Sequence, residues 1–149
     1  EEDRMNHNPL IGPVIALVGW SILVLLWLGY VRFGALKKVG RGLGKAKPGS
    51  RGQDLEGILP PAANWPAHNY AHLMEQPTIF YAITLALVAL DDWMELNLWL
   101  AWAYVVIRVI HSFVQITNNN LKFRFPLFIL STFCLIALTI HAAASFYHG

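Results

Sequence analysis

The chain has 149 residues, of which 56% are hydrophobic and 13% charged, with a net charge of +2. Soluble domains are about 45–50% apolar and about 25% charged, so the composition excludes an ordinary water-soluble fold. The small net charge gives no electrostatic case for a nucleic-acid partner. The single cysteine, Cys134, excludes a disulfide framework and a thiolate-rich metal site, and its apolar surroundings predict a buried side chain.

The first apolar segment, residues 10–31, reads LIGPVIALVGWSILVLLWLGYV. It meets the length of about 20 residues that a bilayer-crossing helix needs. It exceeds the apolar core of a signal peptide, and the leading residues EEDR are mostly acidic. A retained helix is therefore expected, and with Met5 as the natural start residues 1–4 would be an appendage. The following stretch, about 32–65, is basic and rich in glycine: it carries Arg32, Lys37, Lys38, Arg41, Lys45, Lys47 and Arg51. Its GRGLGKA run invites a phosphate-loop reading, but Val39 stands where that motif needs glycine and Ala46 replaces the magnesium-binding hydroxyl. A flexible cytoplasmic loop touching anionic lipid heads is expected instead.

Three more apolar segments follow, at about 66–90, 96–117 and 126–147. The fold class expected is an all-α membrane protein, a single integral domain built as a four-transmembrane-helix bundle. Lys122 and Arg124 lie between the last two segments, whereas the DDWMEL connection holds three acids and no base. The first and third loops are thus expected in the cytoplasm, with both termini on the opposite side. Trp65 near one boundary, and Trp93 and Trp99 near the other, suit an aromatic belt.

The second segment opens with HNYAHLMEQP. On a helix, His68, Asn69, His72, Glu75 and Gln76 share an arc of about 120°. In the third segment Tyr104, Arg108, His111, Ser112 and Gln115 share an arc of about 100°. Glu75 and Arg108 both lie roughly 13 Å from the cytoplasmic ends of their helices. A Glu75–Arg108 ion pair, within one subunit or across two, is the economical expectation, since either charge alone would be costly in lipid. A pair that only fixes helix register needs no chemistry. Two five-residue stripes exceed that need and point to a site. His68, His72 and Glu75, with His111 opposite, have the residue types of a two-histidine, one-carboxylate metal centre. Arg108 in the same place repels a cation, so no metal is expected. His141, nearer the far side, reads as a bonded core or interface histidine. A transporter would call for more helices or an internal repeat, and neither is visible.

The runs NYAHLMEQPTIFYA, AYVVIRVIHSFVQ and NNNLKFRFPLFIL resemble the MAPEG family, membrane-associated proteins of eicosanoid and glutathione metabolism. The resemblance covers roughly residues 65–147. It implies a homotrimer of four-helix subunits that binds glutathione between neighbours, from the cytoplasmic side. The family's arginines and polar groups hold the tripeptide carboxylates and stabilise its thiolate, which attacks a lipophilic small molecule or reduces a peroxide. Carried over by position, Glu75 matches the family's second-helix glutamate, and Pro77 lies close to its proline. Arg108 and His111 match the third-helix arginine and histidine, Arg124 matches the arginine opening the fourth helix, and Arg32 is a looser counterpart. The resemblance assigns Arg108 and Arg124 as catalytic groups. Arg32, His68, Asn69, His72, Glu75, His111, Ser112 and Gln115 are assigned to holding glutathione.

The chain departs from the family pattern at three of these positions. His68 and His72 stand where the motif carries an arginine and an asparagine, and Gln115 replaces a tyrosine. A neutral histidine does not reproduce a permanently charged, bidentate carboxylate clamp. Asn69 is the nearest substitute for the missing asparagine. Two functions are therefore expected: a glutathione-dependent transferase or peroxidase, or a non-catalytic membrane protein of the same fold that binds lipid or a protein partner.

Overall fold

The computed structural model describes residues 8–92 and 94–148, apart from the side chain of Leu43. The acidic leader, Met5 and Trp93 lie outside the described residues. Among those described there are five α-helices, no strand and two short 3-10 turns, Leu43–Lys45 and Gly52–Leu55. The helices are α1 (Ile11–Lys38), α2 (Pro61–Met74), α3 (Gln76–Ala89), α4 (Glu95–Thr117) and α5 (Leu121–His148).

Three of them, α1, α4 and α5, are long and apolar enough to cross a membrane, with mean hydropathies of 2.3, 1.4 and 2.1. The expected second span is not one continuous helix. Its place is taken by α2 and α3, of 14 residues each. A helix of that length rises only about 21 Å, short of the hydrocarbon thickness of about 30 Å. The break falls at Glu75, whose φ of −87° and ψ of −100° leave the helical region. Pro77 is the cause: its ring takes the space of the Leu73 carbonyl, and it has no N–H to continue the ladder.

The other boundaries move outward. α1 continues past Val31 to Lys38, and α2 begins at Pro61 rather than at Pro66, so the first loop shortens to residues 39–60. α1 stops because Gly40 takes a left-handed φ of 67°. The Gly40 N–H then bonds the Lys37 carbonyl at 3.2 Å and the Arg41 N–H bonds the Leu36 carbonyl at 3.0 Å, a Schellman ending. Leu59 and Ala63 pack against Leu36, with Leu55 beside them, so this loop is clasped to the end of α1. Asp91 repeats the left-handed device between α3 and α4, and Asn119 between α4 and α5. Asn120 Oδ1 then accepts the Lys122 N–H at 3.0 Å, as an N-cap for α5.

α1 lies against α2, and α4 against α5, while α2 also touches α4 and α3 leans onto α5. The shared core takes Leu17 and Val24 from α1, Leu73 from α2, Phe80 and Leu87 from α3, and Leu135 and Leu138 from α5. Cys134 is buried with them. From α4 it takes Tyr104, whose ring stacks on Phe80 at 4.3 Å and 7°. Outside this core the bundle exposes Ile15, Leu26, Trp99, Phe133 and Ile140, each at least 60%. Such a girdle costs heavily in water and nothing against lipid tails.

Candidate functional site

The break between α2 and α3 frees backbone carbonyls at mid-bundle, where no water is at hand to bond them. Arg108, on α4 and only 1% exposed, answers this. Its Nη2 donates to the His72 carbonyl at 3.0 Å. A cation at a helix C-terminus is also favoured by the helix dipole. Arg108 therefore caps α2.

Glu75 does not pair with Arg108 within the chain. Its side chain is 67% exposed and lies 3.5 Å from His72 Nδ1. The expected intrasubunit pair fails because depth alone placed the two residues together. Glu75 sits on the break itself, so it does not follow the rotational phase of the α2 stripe.

Four of the expected site residues converge from three helices. Arg124, at the start of α5, donates from Nη1 to Asn119 Oδ1, and its Nη2 lies 3.5 Å from His72 Nε2. An arginine only donates, so His72 Nε2 accepts, which puts the ring proton on Nδ1, the side facing Glu75. The His72 ring meets His111 edge-on, with centroids 5.8 Å apart. His111 is itself 3% exposed and one turn from Arg108. The result is two guanidinium groups and two imidazoles around one end of α2.

Several buried polar atoms here have no protein partner: Asn69 Nδ2, Arg108 Nε and Nη1, Arg124 Nε and Gln115 Oε1. All but the last are donors, a set that suits an anion. Among the described residues no three His, Cys, Asp or Glu side chains are grouped as metal ligands would be.

Of the remaining expected residues, Ser112 and His68 are engaged elsewhere, while Arg32 Nε is buried without a protein partner. Ser112 Oγ accepts the Trp20 indole N–H at 3.1 Å, tying α4 to α1. His68 Nε2 meets Glu56 Oε1 of the first loop at 2.8 Å. Arg32 lies over Gly52, where a β-carbon would come within 2.6 Å of its Nη1.

One knot was not foreseen. Gln76 accepts the Tyr104 hydroxyl at 3.1 Å and the Ser131 hydroxyl at 3.3 Å, and donates to Thr132 Oγ1 at 2.8 Å. It joins α3, α4 and α5 just below the break. Ser131 and Thr132, adjacent hydroxyls in an apolar helix, and the polar Gln76 were the available signals. A depression of about 470 Å³ lined by Leu90, Asp91, Asp92, Met94, Glu95 and Ser145 shares no residue with the arginine–histidine cluster. Its acidic rim is the wrong charge for the anion the cluster suits.

No curated protein and no solved structure matches the chain. A family model does match, that of the MAPEG family, over residues 10–144. The match takes in α1 from its start, the clasped loop, the broken α2–α3 element, the arginine–histidine cluster and most of α5. Helices that fit a bilayer and a family match over most of the chain lead to one conclusion: this is an integral membrane protein that belongs to the MAPEG family.

Proposed function

We propose that the chain is a glutathione-dependent transferase or peroxidase for lipophilic electrophiles. It would work as a homotrimer of four-span subunits in which α2 and α3 together make one broken span. The observation that carries this reading is the buried cluster of Arg108, Arg124, His72 and His111, with N–H groups left open. Glutathione would supply the thiol, and the donors fit its anionic groups. Arg124, half-buried at the end of the bundle, would bind a carboxylate or hold a thiolate in its ionised form. Asn69 and His72 would orient the peptide, and Gln115 offers an acceptor for its ammonium or amide groups. Arg108 would act from behind, keeping the end of α2, and so His72, in position. Glu75 faces out of the protomer, where a neighbouring subunit's ligand would meet it. The basic residues of the first and third loops support a cytoplasmic mouth for this site.

A second reading, a non-catalytic binder of lipid or of a protein partner, is favoured by two positions. His72 and His68 replace the family's asparagine and arginine, and His68 is already engaged by Glu56. Isothermal titration of the detergent-purified protein with glutathione separates the two. Saturable binding that weakens at least about tenfold in Arg124→Gln is expected. No binding at millimolar glutathione, together with a protein that co-purifies with a membrane partner, supports the second reading and ends the first.

A further inference from the structure

The C-terminal end of α1 shares no residue with the arginine–histidine cluster. Trp27, Tyr30 and Phe33 are exposed there by 46%, 75% and 58%. Tyr30, Phe33 and Lys37 follow one another at three- and four-residue spacing, so they form one stripe along the helix. The Trp27 and Tyr30 rings touch, with centroids 5.7 Å apart. The stripe is aromatic within the apolar length of α1 and becomes cationic where α1 emerges from it.

Three basic residues close this end of the helix in sequence. Lys37 and Lys38 end the helix and are exposed. The left-handed Gly40 turns the chain back, and the bond from the Arg41 N–H to the Leu36 carbonyl holds Arg41 over the same last turn. The expected loose basic loop is, at this end, a fixed turn. The acids of the loop are occupied elsewhere. Asp54 accepts the Arg51 N–H at 2.8 Å, and Glu56 meets His68 at 2.8 Å. Among the described residues no carboxylate pairs with Lys37, Lys38 or Arg41.

We infer that this end of α1 is a binding site for an anionic phospholipid, with its phosphate held by Lys37, Lys38 and Arg41 and an acyl chain along Trp27, Tyr30 and Phe33. The order of chemistry along the stripe, apolar then cationic, matches an amphiphile with a negative head. A soluble phosphate would leave the aromatic part unused, and a zwitterionic lipid would bring no net charge to three uncompensated cations.

Native mass spectrometry of the detergent-purified protein, titrated with phosphatidylglycerol and phosphatidylcholine, tests the site. Retention of phosphatidylglycerol should exceed that of phosphatidylcholine by about tenfold, and the preference should shrink as ammonium acetate is raised. The K37Q/K38Q/R41Q variant, altered only at exposed side chains, should lose the preference while keeping its melting temperature. Should that variant fail to fold, the salt dependence of the unaltered protein still decides. Equal retention of the two lipids, or a preference that ignores salt or survives in the triple variant, overturns the inference. So does displacement of the lipid by glycerol 3-phosphate at equal concentration, which would mark a plain phosphate site.

Discussion

Two of the buried polar clusters in the bundle teach opposite lessons. Towards the acidic end, Asn97 is fully buried, but both ends of its amide are satisfied. Its Oδ1 accepts from His141 Nδ1, and its Nδ2 donates to Asp92 Oδ1 at 3.3 Å. Around the α2–α3 break, Arg108, Asn69, Gln115 and Arg124 all keep polar atoms that no protein group meets. A closed network costs nothing further and fixes α4 against α5. An open one carries a desolvation cost of about 1–3 kcal/mol per unmet group, which a fold has no structural reason to bear. Polarity inside a membrane protein thus has two uses, told apart by whether its hydrogen bonds are complete.

The comparison can be broken at four points. The largest effect is expected from Arg108→Leu, which takes the donor from the His72 carbonyl. A loss of about 2–3 kcal/mol in reversible unfolding in detergent is expected, with Arg108→Lys in between. A gain in stability would instead mean that the guanidinium is kept for a ligand at the expense of the fold. Asn97→Leu should cost about 2 kcal/mol, because Asp92 and His141 lose their shared partner. Glutathione titration should be unchanged in that variant, and a weakened titration would mean that the closed cluster also serves the site. Arg124→Gln should raise the dissociation constant for glutathione at least about tenfold, or about 1.4 kcal/mol, with the melting temperature intact. Glu75→Gln should shift stability by less than about 0.5 kcal/mol, since the carboxylate is exposed. A larger shift in the assembled protein would locate Glu75 in a contact between subunits.

How much was legible in the sequence depended on helix continuity. Along α4 the spacing of Tyr104, Arg108, His111, Ser112 and Gln115 put all five on one face, and all five are buried. The same arithmetic failed on the second segment, because Pro77 resets the phase one residue before the stripe is complete. Asn69 is buried as the stripe demands, whereas Glu75, on the break itself, turns to other surroundings. Periodicity predicts azimuth only within one unbroken helix. The setting of Arg32 and His68 was hidden for another reason. Glycine and charge suggested a free loop, but Leu55, Leu59 and Ala63 clasp it to α1, and those apolar contacts were hidden among polar neighbours. The partner of Arg124, Asn119, is positioned by a left-handed turn, which the NNN run permits without identifying which asparagine adopts it.

The bond between Trp20 and Ser112 supplies an optical handle. The indole donates to a side chain adjacent to His111 and lies 5.1 Å from the ring of Phe113. Any movement of α4 that opens or closes the arginine–histidine cluster must stretch that bond or change the ring contact. A chain keeping Trp20 alone among its six tryptophans would therefore report ligand entry as a change in emission wavelength, without a label attached to the site.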